Sequence, residues 1–137
     1  VVDLAFFLGG KPKEISTYTT GKINWHQSAS TFSGAGMSEL GALFSYKANW
    51  LSAGRWSIEV LTSENKLIFS PMEKLQIQKR GSIKESYLDN IDYSLDEKYK
   101  PGLFLQTRNF LNGETDRLCT ILEQKNMASL YNQMSNY

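Results

Sequence analysis

Between Ala42 and Trp50 the chain alternates: Phe44, Tyr46, Ala48 and Trp50 fall on one face of an extended segment, and Ser45, Lys47 and Asn49 on the other. Successive strand residues point to opposite faces, so a period of two dictates a strand with one aromatic face to bury and one wet face. A sheet built from such strands must be covered by another layer. The same β-branched and aromatic texture runs from Glu14 to about Lys79. Residues 15–20 read as a strand, residues 22–28 as a second and more polar one, and residues 32–37 as a third, joined to the alternating run by Ser38-Glu39-Leu40-Gly41. Trp56, Ile58 and Val60 repeat the alternation, Ser63-Glu64-Asn65 is a hairpin signal, and residues 67–69 and 75–78 continue the meander on either side of Pro71.

The flanks read as helical. Residues 1–8 are apolar on nearly every side and run into Gly9-Gly10 and Pro12, the order of a helix's last turns, a glycine stop and a proline beyond it. The chain is therefore expected to begin with the stump of a buried helix. Residues 80–100 form a polar connection that adds one edge strand. Pro101 suits a first helical turn, and Leu103, Thr107, Phe110 and Leu111 recur at helical spacing until Asn112-Gly113. Thr120-Ile121-Leu122-Glu123 has the form of a capping box, followed by a stripe of Met127, Leu130, Tyr131 and Met134. The expectation is a single α+β domain over residues 1–137, a mostly antiparallel open sheet with helices packed on one face.

Composition removes several function classes. With 137 residues the chain has the length of one domain, and 15 Lys plus Arg against 14 Asp plus Glu provide no field that would favour nucleic acid. No apolar run approaches the roughly 20 residues of a membrane helix. The N-terminal stretch lacks the basic region and cleavage site of a signal peptide, so a cytoplasmic protein is expected. His26 is the only histidine, which excludes metal sites built on paired histidines and leaves a nucleophilic triad without a seat. Cys119, among Leu118, Ile121 and Leu122, reads as a buried, inert thiol. Gly34-Ala35-Gly36-Met37-Ser38-Glu39 fails as a dinucleotide cradle, because Glu39 stands at the third glycine position and a strand follows where a helix is needed. These glycines are expected to serve the sheet.

Two clusters could hold a ligand. Asn24-Trp25-His26-Gln27 combines polar groups with an aromatic ring, a texture suited to a polyhydroxylated molecule. Trp50, Arg55 and Trp56 surround the turn Ser52-Ala53-Gly54, and aromatic faces with a guanidinium fork can bind sugars, carboxylates or phosphates. The plainer reading puts Trp50 and Trp56 in the core. Trp25, His26 and Arg55 are the candidate substrate contacts; Phe44, Tyr46 and Trp50 are the candidate core or interface face. The basic run Lys74, Lys79, Arg80 and Lys84, interleaved with Gln76 and Gln78, reads as a charged sheet edge that resists aggregation rather than a phosphate site.

The order of Val1-Val2-Asp3-Leu4, Phe7-Leu8-Gly9-Gly10-Lys11-Pro12, Leu40-Gly41-Ala42-Leu43-Phe44-Ser45 with Trp50, Arg55-Trp56-Ser57-Ile58-Glu59-Val60 and Phe104-Leu105-Gln106-Thr107-Arg108-Asn109-Phe110-Leu111 with Thr120-Ile121-Leu122-Glu123 resembles the C-terminal domain of one oxidoreductase family. That family is named after glucose–fructose oxidoreductase, inositol dehydrogenase and the rhizopine-catabolism protein. The resemblance implies the C-terminal fold shared by dihydrodipicolinate-reductase-like and glyceraldehyde-phosphate-dehydrogenase-like oxidoreductases. It also implies an N-terminal Rossmann domain that holds NAD or NADP, with a lysine and a histidine handling the proton of the substrate hydroxyl. The histidine is usually followed three places on by an aspartate; if Asp3 is that aspartate, the histidine immediately precedes Val1. This chain carries neither the glycine fingerprint nor the lysine nor the histidine, so no catalytic, cofactor or metal residue is carried over.

The implied role is the substrate-binding and oligomerisation domain of an NAD(P)-dependent oxidoreductase acting on a secondary hydroxyl of a sugar, nucleotide-sugar or polyol. By itself such a domain is inactive, and its partners are its own Rossmann domain and further copies that meet through the sheet. The alternative is a free-standing carbohydrate or small-ligand module using Trp25, His26, Trp50 and Arg55. A third reading is an oligomerisation sheet that binds no ligand.

Overall fold

The computed structural model describes residues 1–137, with the exception of the Arg117 side chain. In chain order the elements are α1 (Val2–Gly9), β1 (Pro12–Thr20), β2 (Thr31–Ser38), β3 (Leu43–Asn49), β4 (Ile58–Leu61), β5 (Asn65–Phe69), β6 (Leu75–Lys79), β7 (Glu85–Tyr87), α2 (Ser94–Lys98), α3 (Leu103–Asn112), a 3-10 turn at Thr115–Arg117 and α4 (Ile121–Ser135). The chain is α+β and every strand pairing is antiparallel. The strands form two sheets, ordered β1-β2-β3 and β4-β5-β6-β7, where the alternation alone suggested one. The backbone divides accordingly into two compact units, residues 1–54 with 126–137, and residues 55–125. Residues 50–57 contribute no ladder, so β4 opens a new one.

In the first unit the register sets Ile15, Thr17 and Thr19 of β1 beside Gly36, Gly34 and Phe32 of β2, and these beside Phe44, Tyr46 and Ala48 of β3. α1 and the end of α4 cover this face. Phe6 is buried with its ring edge-on to Phe44 at 5.2 Å, Met134 is buried, and the Tyr46 hydroxyl donates to the Met134 carbonyl at 3.2 Å. Burial raises the Tyr46 phenol above its ordinary pKa. Gly34 and Gly36 sit opposite the two aromatic residues, and a Cβ at Gly36 would meet the Glu14 carbonyl and come within 2.8 Å of the Phe44 ring. The glycines serve the sheet by letting the rings of β3 lean across β2. Residues 22–28 do not form the expected strand. They make a tight turn with a single bridge between Ile23 and His26, because the polar side chains offer the sheet nothing to bury.

In the second unit Ile58, Val60, Leu67, Phe69, Leu75 and Ile77 share one face by register. β7 is the expected edge strand, and α2 follows it within the stretch read as a plain connection. The Leu75 N–H donates to the Tyr93 hydroxyl at 3.0 Å, and Lys74 meets Glu97 at 3.5 Å, which ties the approach to α2 onto β6. The Thr120 N–H donates to Glu123 Oε2 at 2.7 Å and the Glu123 N–H returns to Thr120 Oγ1 at 3.3 Å, the reciprocal bonds of a capping box. Gly113 ends α3 with φ 71°.

Four expectations are corrected in this unit. Lys79 ends β6, which is paired on both sides, so the basic run does not guard an edge. Cys119 is exposed rather than buried, because the segment between the 3-10 turn and α4 runs along the surface. Trp56 precedes β4 and is exposed, outside the alternation that starts at Ile58. The stripe on α3 is also not a core face, since Leu103, Phe110 and Leu111 are all exposed.

Candidate functional site

The β1–β2 connection builds the site. The His26 N–H donates to the Ile23 carbonyl at 3.4 Å, which closes the turn and lifts Asn24-Trp25 to its tip. The chain then folds back under the imidazole, where the N–H groups of Ser28 and Ala29 point at His26 Nδ1 at 3.3 and 3.5 Å. An atom that accepts from two backbone donors carries no hydrogen of its own, which places the proton of the neutral ring on Nε2. Nε2 lies 3.0 Å from the Tyr137 hydroxyl.

Rings surround the imidazole. Phe32 stands edge-on to it at 5.2 Å from the buried side, Tyr137 tilts over it at 5.3 Å, and Trp25 approaches at 5.9 Å. Trp50 packs edge-to-face with Trp25, centroids 5.1 Å apart and planes at 74°. Trp25 is 67 % exposed, Trp50 50 % and Tyr137 63 %, so large parts of three rings face water around a fixed imidazole. Aromatic faces bordered by a few fixed polar groups suit a ligand with apolar C–H faces and hydroxyl edges.

Of the sequence candidates, the fold therefore brings Trp25, His26 and Trp50 together. Trp50 leaves the Phe44–Tyr46 face because β3 ends at Asn49 and the turn beyond carries the indole to Trp25. Phe44 and Tyr46 take the helix-packing role. Arg55 is exposed and belongs to the second unit. Asp3, exposed on α1, accepts a hydrogen bond from the Tyr131 hydroxyl and so tethers α1 to α4. The candidates missed are Tyr137 and Phe32. No local signal marks Tyr137, which lies 111 residues from His26. The Ser28 hydroxyl donates to the Ser135 carbonyl at 2.6 Å and the Asn136 amide donates to Thr19 Oγ1 at 3.3 Å, and these bonds hold the C-terminus in place.

Gly34 and Gly36 lie within β2 with their Cβ space filled by the Tyr46 and Phe44 rings, so they do not fit a nucleotide phosphate. Among the described residues no group of three or more His, Cys, Asp or Glu could hold a metal ion, and no helix is long and apolar enough to cross a membrane. Cys119 borders a cleft of about 390 Å³ with Leu105, Arg108 and Leu118, and its thiol lies within reach of the Thr120 carbonyl and Gln124 Oε1. Comparison with known protein families, with curated proteins and with solved structures returns no match.

Proposed function

We propose that the chain is the C-terminal substrate-binding and oligomerisation domain of an NAD(P)-dependent oxidoreductase acting on a secondary hydroxyl of a sugar, nucleotide-sugar or polyol. The observation that carries this reading is the way the resembling segments fall on the elements. The apolar opening is a helix that stops at Gly9 and passes through Gly10 and Pro12 straight into β1, and the later segments fall on β3, on β4, on α3 and on the cap of α4. One face of the three-stranded sheet is covered by helices, while the other presents Ser16, Tyr18, Ser33, Leu43 and Lys47 to solvent, the disposition of a sheet that meets another subunit. On this reading the fold is that of the family's C-terminal domain, the nucleotide and the hydride chemistry belong to a Rossmann domain, and Asp3 lies three places after the acid–base histidine.

The test is the reading frame that encodes the chain. The codon before that of Val1 is expected to specify histidine, preceded by one further domain of roughly 120–200 residues. The 137-residue chain itself is expected to leave NADH fluorescence unchanged. Another residue at that position, or saturable NADH binding by this chain, would overturn the reading.

A second reading, a carbohydrate-binding module, is favoured by one observation, the exposed corner formed by Trp25 and Trp50 beside His26. It expects mono- and oligosaccharides to quench indole emission saturably, and Trp25→Ala to weaken binding by about tenfold. Emission unaffected by any sugar in such a series sinks it.

A further inference from the structure

The four-stranded sheet carries the β4–β5 turn, residues 62–64, beside the β6–β7 connection, residues 80–84, and the Arg80 N–H donates to the Glu64 carbonyl across them at 2.8 Å. An open cleft of about 500 Å³ lies here, lined in part by Ser63, Asn65, Lys66, Lys79, Arg80 and Ser82. The three cations are not equivalent. Lys66 sits between Glu85 at 3.0 Å and Glu59 at 3.7 Å, and the Glu85 hydrogen bond holds its amine above the ordinary lysine pKa. Lys74, earlier in the run, is taken by Glu97 and the Tyr93 ring. Among the described residues no carboxylate lies within 4 Å of Lys79 or Arg80, and Arg80 commits one nitrogen to the Ser63 carbonyl at 3.5 Å.

Lys79 therefore has neither an edge to guard nor an acid to pair, and the guanidinium next to it has donors to spare. A planar fork of N–H donors matches the oxygens of a phosphate, a neighbouring ammonium adds a point charge, and Ser63, Asn65 and Ser82 supply polar walls. We propose that this cleft binds a small phosphorylated molecule, its terminal phosphate held between Lys79 and Arg80. A volume of about 500 Å³ lies within the range of small-ligand sites, roughly 300–1,000 Å³. The proposal stands independently of the oxidoreductase reading, since every residue that lines the cleft lies outside the segments that resemblance rests on.

Inorganic pyrophosphate, titrated into the 137-residue chain at low ionic strength with backbone amides followed by NMR, is the test. Saturable shifts are expected at Ser63 and at residues 80–82. Lys79→Gln and Arg80→Gln should each weaken binding by about tenfold or more, as loss of a charged hydrogen-bond partner does. Lys84→Gln removes an exposed cation from the same connection but not from the cleft lining, and should change it by less than about fivefold. Absence of saturable shifts, or equal weakening by Lys84→Gln and Lys79→Gln, which is the signature of a diffuse positive field, would overturn the proposal.

Discussion

Replacing Gly36 by valine should destabilise the first unit by about 3 kcal/mol or more, at or beyond the upper end of ordinary overpacking. A Cβ there meets the Glu14 carbonyl of β1 on one side and the Phe44 ring, 2.8 Å away, on the other. A long flexible side chain could swing aside, but a backbone carbonyl engaged in a ladder and a ring wedged under Phe6 cannot. Branching at Cβ adds two further carbons to the same space. The midpoint of urea unfolding should fall while its slope is kept, because the surface exposed on unfolding is unchanged. A midpoint equal to that of the parent chain would show that β2 does not run between Glu14 and Phe44 in this register.

Phe32→Ala should cost about 3–5 kcal/mol, the usual loss for emptying a buried aromatic site. Phe32 is only 6 % exposed and supports the underside of the His26 ring. Its effect therefore has a second readout. With the imidazole unsupported, Trp25 and Trp50 lose the group they pack around, and their emission should shift to longer wavelength and become easier to quench with acrylamide. Phe110→Ala is the comparison, because that ring is 73 % exposed and should cost no more than about 0.5 kcal/mol. If the two variants unfold at the same midpoint, the burial assigned to β2 is wrong.

Particular residues show why some of this was legible in the sequence. The alternation at Phe44 and Tyr46, the turn before Asn65, the glycine after α3 and the box between Thr120 and Glu123 are each decided within a few residues of chain, and each is found where the pattern puts it. The errors have another character. Lys79 and Gln78 look like any charged strand end until β7 is known to pair beyond them. Leu103, Phe110 and Leu111 keep a helical period, but period says that a stripe exists and not what covers it. Residues 22–28 have some β-branched and aromatic content, yet the hydrogen bonds that His26 accepts from Ser28 and Ala29 favour a turn over a ladder.

The candidate site divides in the same way. The polar, aromatic texture around Trp25 and His26 was visible as sequence, and so was the nearby indole of Trp50, but nothing local joined them. The sequence by itself determined the α+β class, the antiparallel strands and the helix stops, since period, glycine conformation and capping are short-range properties of the backbone. Only the tertiary structure decided that the strands split into two sheets, that Gly34 and Gly36 exist to admit two rings, and that Tyr137 closes over His26. These are outcomes of cross-strand register and of contacts over a hundred residues apart, fixed when separate segments compete for the same buried space.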